Sequence, residues 1–426
     1  MFDITIMSSQ RYDMVIFEDS GFLNLLPLVY GRAVFDLRCG ARTLGQRICA
    51  VQGCQSCYVY VREELAAVTA QNHTGIVPKQ VEGAGRTLFI NGSCLLFEPI
   101  AAAQGNLVAQ AGDRIAYIWA DNELAGKLRA DVFTAPGQLQ KVLAPYPVVK
   151  TDITLISYPW DLVHNNIKAL EHDWKLLAEP RRQGQIYEGV YLLAQENISI
   201  GPGTVIKPAV VLDAEKGPII IDKNVTIKPH CTLEGPLYIG AGSLIQPGSE
   251  ISEGVSIGPV CKVGGELESS IIHGYSNKQH DGFLGHSYIG SWVNLAADTV
   301  NSDLKNTYGP VRVLLNGREV DTGQMFVGLT MGDHSKTSIN TMFSTGSIVG
   351  FACGVFTSRY APRFLPSFSW LTDEGRTDAV VAKVLQVAQK VMARRQVIMS
   401  EAEKELFMRI YDRARDIERM PGENGW

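Results

Sequence analysis

From Ile221 onward an aliphatic residue returns at every sixth position: Ile221, Ile227, Leu233, Ile239, Ile245, Ile251, Ile257 and Val263. The same step precedes it at Ile200, Ile206 and Leu212, before a short inserted turn, DAEKGP, and a restart. An α-helix returns its apolar face about every 3.6 residues and a half-buried strand every second residue, so neither accounts for this period. A triangular coil does. Each hexapeptide is a short strand and a tight turn, three of them close one coil, and the aliphatic corners are buried against the coils above and below. Glycine and proline fall where the turns belong, as in IGPGTV, IGAGSL and ISEGVS. The pattern predicts a parallel β-helix that begins near Glu196 and runs to about Phe356, within domain limits of 196–365.

After Val263 the register breaks and the chain turns polar. His273, His280 and His286 stand among Asn277, Lys278, Asp281, Asn294, Asp303, Lys305 and Asn306. A solenoid that interrupts its repeats does so where it builds something other than core. The stretch from about Val300 to Gln324 is expected to leave the coil as a loop, with the array resuming around Phe326 to Phe356 and Asp333, His334 and Lys336 near its start. His273 and His286 read as hydrogen-bonded structural residues. A metal set of His273, His280, Asp281 and His286 is the weaker alternative, because its spacing follows no regular alternation on one strand.

The run His280-Asp281-Gly282-Phe283-Leu284-Gly285, followed by Tyr288-Ile289-Gly290 and by VNLAADT from Val293 to Thr299, resembles the acetyltransferase half of GlmU-type enzymes and their sugar-phosphate relatives. The pattern there is His, two residues, Tyr, one residue, Gly, then Val-Asn-x-Gly-Ala-Gly-Thr. The resemblance covers about residues 196–356. It implies a left-handed hexapeptide-repeat β-helix, acetyl-CoA as co-substrate, and a homotrimer with sites between β-helices. It places His280 on the catalytic base. Among substrate contacts, Phe283 stands where the family has Tyr, Asn294 matches the family's Asn, and Asp303 stands where the family has another Asn. Glu268 occupies the place of a Lys that contacts the sugar phosphate, and Lys278 or Lys305 is the candidate to replace it. These departures leave the acceptor open.

The chemistry implied is acyl transfer from a thioester to an amine. The amine attacks only when neutral, and imidazole is the side chain whose ordinary pKa suits it to take that proton. The oxyanion formed on the carbonyl needs preorganised donors, expected from backbone N–H groups around Ala296 to Asp298. Lys278, Lys305 and Arg312 are cations able to neutralise a sugar phosphate or the phosphates of coenzyme A.

Residues 11–165 read as a separate α/β domain. Strand-like runs (DMVIFED, SCYVYV, TLFING, RIAYIWA, DITLI) alternate with helix-like ones (REELAAVTAQ, DNELAGKLRA, GQLQKVLA). The first strand is not followed by a Gly-x-Gly-Thr-Arg phosphate loop. The segment from Asp19 to Gly40, with Phe89-Ile90-Asn91-Gly92 and Tyr158 to Val163, instead resembles the divergent nucleotidyltransferase domain of GlmU-like two-domain proteins. On that resemblance Arg32 and Arg38 are the phosphate-binding candidates, and an active domain would need Mg²⁺, for which Asp19, Asp36 and Asp121 are available. A linker at 166–195 carries a helix-forming stretch, NNIKALEHDWKLLAE. Residues 377–420 are expected to form two helices, with Ser400 and Glu403 as a capping box.

Composition narrows the partners. The 39 basic and 44 acidic residues of the 426-residue chain are interspersed and leave a net charge of -5, which supplies neither a nucleic-acid footprint nor an attraction to anionic membranes. No run approaches the roughly 18 to 20 apolar residues that span a bilayer, and the first residues have no signal-peptide pattern, so a cytoplasmic protein is expected. Cys39, Cys49, Cys54 and Cys57 are expected as buried thiols, with a zinc site as the alternative. Together these features predict a GlmU-like enzyme of nucleotide-sugar metabolism. It would act as a sugar-1-phosphate nucleotidyltransferase (UDP-N-acetylglucosamine diphosphorylase-like), as an acetyl-CoA-dependent N-acetyltransferase on an amino-sugar 1-phosphate, or as both. Sugar phosphates and nucleotides are then its partners. The alternative is a non-catalytic, trimerising or ligand-sensing β-helix scaffold.

Overall fold

The period of six becomes three stacked ladders of short parallel strands in the computed structural model, which describes residues 12–54, 57–72, 85–135, 137–177 and 180–418. Ile221, Ile239 and Ile257 follow one another up one ladder, Ile227, Ile245 and Val263 up a second, and Leu233 and Ile251 up the third. Every third aliphatic residue therefore shares a sheet, and all eight are no more than 2% exposed. Hydroxyls close the corners between coils. Ser243 accepts from the Cys261 N–H and donates to the Gly258 carbonyl, and Ser276 and Ser335 repeat the device further along. Backbone groups that turn away from the ladders are thus paired rather than left bare.

The coil starts earlier than the expected residue 196. Gln185–Ile186 pairs with Val205–Ile206, and Tyr191–Leu193 with Val211–Asp213. The first turn hides from a search for aliphatic repeats because it carries Gln185 and Tyr191 and is half uncovered, Tyr191 being 63% exposed. The expected linker at 166–195 is likewise part of the packing. Leu170 of the helix Asn166–Lys175 sits with Ile220 and Tyr238 on the β-helix wall, and the Asn166 amide donates to the Gly254 carbonyl.

The insertion is shorter than predicted. Val300–Asn301 still pairs with Met342–Phe343, and the excursion that follows contains an antiparallel hairpin, Arg312–Leu315 with Arg318–Asp321, before the ladders resume at Thr330–Met331. The coils continue to Ser369–Thr372, which folds back as a hairpin with Gly375–Asp378. Two helices follow, Val381–Ala393 and Glu401–Ile417. The capping box forms as expected, Ser400 Oγ accepting from the Glu403 N–H and the Glu403 carboxylate from the Ser400 N–H.

Ahead of the β-helix lies a six-stranded mixed sheet. Asp13–Phe17 runs parallel to Tyr58–Tyr60 on one side and Thr87–Asn91 on the other. Arg114–Ala120 is antiparallel to both Thr87–Asn91 and Leu107–Ala111, and Val148–Lys150 closes the edge. Helices cover a core of Val15, Phe17, Phe89, Ile118 and Phe133. This α/β unit is made of residues up to Gly21 with Ala33–Phe35 and Leu44–Leu155. Phe22–Arg32 and Asp36–Thr43 group instead with the β-helix unit, where the sequence had given 11–165 to one domain.

Candidate functional site

Two neighbouring turns of the β-helix define the site. The turn at His280 lies directly beneath the turn at Ala297, because the Asp298 N–H donates to the Asp281 carbonyl at 3.1 Å. His280 is exposed. Lys278 points inward and is 2% exposed, and its Nζ donates to the carbonyls of Gly264 (3.0 Å) and His280 (2.9 Å). Burial pushes this ammonium down to about 8 against the pull of Asp281, Asp298 and Glu266. Lys278 therefore pins the His280 turn from inside the coil rather than reaching outward to a phosphate. Of the three expected oxyanion donors, Ala296 N–H is taken by Thr337 Oγ1 and Asp298 N–H by Asp281, so Ala297 N–H is the one without a partner among the described residues.

The strand Phe283–Gly285 leads from the His280 turn to a second cluster. A Cβ placed on Gly285 would lie 2.3 Å from Asp303 Oδ2 and 2.4 Å from Phe283 Cζ, so this glycine is the floor on which both side chains rest. Asp303 Oδ2 lies 2.8 Å from His286 Nδ1, and the His286 ring stacks on Phe326 at 4.9 Å. His164 stands 6.1 Å from His286, ring to ring, with its Nε2 2.9 Å from the Phe326 carbonyl. Desolvation and the neighbouring His286 lower the pKa of His164. Glu268 occupies the rung beside Gly285 and is exposed. Phe283 and Asp303 thus lie together over Gly285, and His286, read from the sequence as structural, joins them. Asp303 follows His286 by seventeen residues, close to one coil of three hexapeptides, and that spacing was the available signal.

Asn294 belongs to a third group, on a different ladder. Asn277, Asn294 and Lys336 occupy successive rungs. Asn277 Nδ2 donates to Asn294 Oδ1 at 3.3 Å, and Arg395 from the turn between the two C-terminal helices donates to Asn277 Oδ1 at 2.6 Å. Lys305 stays on the insertion, bonded to the Pro310 carbonyl at 2.8 Å.

Arg32 and Arg38 are both engaged within the β-helix unit. Arg32 pairs with Asp333 at 2.6 Å. Arg38 donates to the Ala41 carbonyl at 2.7 Å and its guanidinium lies 5.2 Å from the centre of the Tyr238 ring. His273 meets the Tyr288 hydroxyl at 3.2 Å, and desolvation together with Arg32 and Arg38 holds it neutral. Among the described residues no group of three or more His, Cys, Asp and Glu is arranged to hold a metal. The set of His273, His280, Asp281 and His286 does not assemble. Three of the four cysteines gather, Cys49 lying beside both Cys54 and Cys57, the latter at 3.7 Å, but they are not arranged to hold a metal, and Cys39 donates instead to the Leu162 carbonyl.

Comparison with known proteins bears on both units. Residues 14–182 match the family model described as "Sugar nucleotidyl transferase". The bifunctional sugar-1-phosphate nucleotidylyltransferase/acetyltransferase of Sulfurisphaera tokodaii is 32% identical over 137 residues, 32% of this chain and 34% of that protein. GlmU of Methanocaldococcus jannaschii is 31% identical over 111 residues, 26% of this chain and 27% of that protein, and GlmU of Synechococcus elongatus is 23% identical over 44% of this chain and 42% of its own. The chain is a GlmU-like two-domain protein. Its matches span about a quarter to two fifths of those relatives' lengths. The solved structure of LpxA from Acinetobacter baumannii aligns with 56% of the chain and 94% of its own at 11% identity, with a TM-score of 0.28. The β-helix assignment rests on the ladders themselves, not on that likeness.

In the nucleotidyltransferase-like unit of this GlmU-like chain, polar groups gather at the carboxyl ends of the parallel strands, the usual ligand edge of such sheets. Arg114 holds Asp19 through two bonds, 2.8 and 3.1 Å, and also reaches Ser93 Oγ at 2.9 Å. Asn91 Nδ2 donates to Asp19 Oδ2. Glu18, fully buried, pairs with Arg62 at 2.5 Å. The three carboxylates proposed for Mg²⁺ do not form one site. Asp19 is committed to Arg114, Asp121 caps a helix by accepting from the Leu124 N–H, and Asp36 belongs to the other unit. No helix among the described residues is long and apolar enough to cross a membrane.

Proposed function

We propose that the β-helix transfers an acyl group from acetyl-CoA or a related thioester to the amine of an amino-sugar 1-phosphate, and that the N-terminal unit handles a sugar 1-phosphate or its nucleotide. The observation that carries the first half is the stacking of the His280 turn on the Ala297 turn. The first turn carries an exposed imidazole and the second a backbone N–H without a partner among the described residues, and an acyl-transfer centre needs a proton acceptor and an oxyanion donor. In this reading His280 takes the amine proton, Ala297 N–H stabilises the oxyanion, and Phe283 and Asp303 face the acceptor. The second half is supported by the family match over residues 14–182. Because the candidate carboxylates do not converge, no metal-assisted step is assigned to that unit. We further propose that the working form is a cytoplasmic homotrimer.

Thiol release from acetyl-CoA over a panel of amino-sugar phosphates tests the acyl-transfer reading. Wild type should release thiol with at least one acceptor, and His280→Ala should lower kcat by about 100-fold or more. If wild type releases no thiol but forms pyrophosphate from a nucleoside triphosphate and a sugar 1-phosphate, the β-helix serves as a scaffold. Exposed Glu268 and inward-pointing Lys278 favour that second reading, since both take positive charge away from the acceptor side.

A further inference from the structure

We infer that His286 and Asp303 form a second proton-transfer pair in this site, apart from the base at His280; the inference rests on the acyl-transfer reading above. Three observations support it. The His286 imidazole is oriented by a carboxylate, Asp303 Oδ2 at 2.8 Å from Nδ1, which fixes the proton on Nδ1 and leaves the Nε2 lone pair as acceptor. The pair is sheltered but not sealed, the two side chains being 14% and 13% exposed. It is held in place from both sides, by the Phe326 ring against the imidazole and by the Gly285 floor under Asp303 and Phe283. His280, by contrast, is exposed and makes no side-chain hydrogen bond among the described residues.

Two acceptors match the proton count of the reaction. An amino-sugar amine is an ammonium near neutrality and gives up one proton before it can attack. Nitrogen then bonds to the thioester carbon, and it must lose a second proton as the amide forms and the C–S bond breaks, with the bonding pair leaving on sulfur. Only one of the two protons returns, to the thiolate; the other is released. Exposed His280 suits the first proton, which passes on to solvent. His286 suits the second, which its Nε2 takes from nitrogen and hands to the departing sulfur while Asp303 stabilises the transient imidazolium. Asp303 is then a positioning residue. Among the described residues His286 faces Asp303 and, from the helix Pro159–His164, His164, whose Nε2 is occupied by the Phe326 carbonyl.

The test compares wild type, His280→Ala, His286→Gln and Asp303→Asn with acetyl-CoA and with S-phenyl thioacetate, whose aryl thiolate leaves without a proton. Melting curves establish that each variant is folded. With acetyl-CoA, His286→Gln should lower kcat about 100-fold with little change in KM. With the aryl thioester the deficit should shrink to within about tenfold, whereas the His280→Ala deficit should be the same with both donors. Asp303→Asn should show the same donor dependence more weakly, because the imidazolium loses its counter-charge. The pair is overturned if His286→Gln matches wild type, or if its deficit is equal with both donors. If wild type releases no thiol from either donor, the acyl-transfer reading falls and takes the pair with it.

Discussion

His334 is 8% exposed, its Nδ1 has no hydrogen-bond partner among the described residues, and the rings of Phe351 and Phe407 stand edge-on to it at 5.6 and 5.7 Å. Burial, with Lys336 and Arg32 nearby, pushes its imidazole down to about 3. The unfolded chain would take up this proton near the ordinary histidine value of about 6.5. Between those two values the unfolded state holds more protons, so the site subtracts stability progressively as pH falls through that window and adds no further loss below it. His334→Phe fills the same aromatic pocket without a titrating group. Its melting temperature should exceed that of wild type by a margin that widens from pH 7 to pH 4; a constant margin would show that His334 does not titrate on unfolding. Gly285 supplies a second expectation at this scale. Gly285→Ala forces Asp303 and Phe283 aside and should lower thiol release about tenfold or more, while the melting temperature falls by only a few degrees. The motif made His280, Phe283, Asn294 and Asp303 candidates from the sequence because their order along the chain is fixed. The contact between Asp303 and His286 was legible only to a reader who stacked the coils, and the inward turn of Lys278 could not be read at all, since it depends on which side of the coil wall residue 278 falls.

At the scale of elements, the hairpin Arg312–Leu315 with Arg318–Asp321 illustrates what the repeat period leaves out. Its Val313 and Leu315, with Val311 and Val327, close over Trp160 and Ile348. The sequence announced an excursion here because the aliphatic step stops, but strands that pair only with each other carry no period that reveals where they will lie. The packing makes the excursion a fastened flap rather than an open loop. Leu315→Ala removes buried volume from this small core and should cost about 2–5 kcal/mol at most, less if the hairpin peels away first. Peeling would uncover Trp160, now 4% exposed, so the variant's fluorescence should shift to longer wavelength, and Trp160→Phe in the same background should abolish that shift. An unshifted spectrum with unchanged melting would mean the flap contributes nothing to the coil. The helix Asn166–Lys175 shows the opposite case: its helical pattern was plain, yet nothing in the sequence marks the polar Asn166 and Asp173 as buried, each 0% exposed, because the groups that satisfy them lie far away in sequence.

On the scale of the whole molecule, those distant groups explain why the chain divides discontinuously. Within the β-helix unit, Gly40 N–H donates to Asn166 Oδ1 at 2.6 Å, Ala41 N–H to Asp173 Oδ2 at 2.8 Å, and Arg42 pairs with Asp173 at 2.8 Å. The Tyr30 hydroxyl donates to buried Glu418 at 2.8 Å, and Arg32 meets Asp333 across 301 residues of sequence. A domain boundary read along the sequence assigns 22–43 to the first domain because neighbours in sequence usually fold together. Here residues 22–32 and 36–43 supply partners to buried carboxylates and amides of the β-helix unit instead. A chain beginning at Ile156 would retain every coil and still strand those groups, at roughly 1–3 kcal/mol for each buried polar group and about 3–5 kcal/mol for a broken buried ion pair. Such a fragment should therefore melt well below the full-length protein, by about ten degrees or more, or fail to stay in solution. Adding a synthetic peptide of residues 22–43 should raise its melting temperature in a concentration-dependent way, as a ligand that binds only the folded form must. A fragment that melts with the full-length chain and ignores the peptide would show that the β-helix is self-sufficient and that the segment merely lies against it.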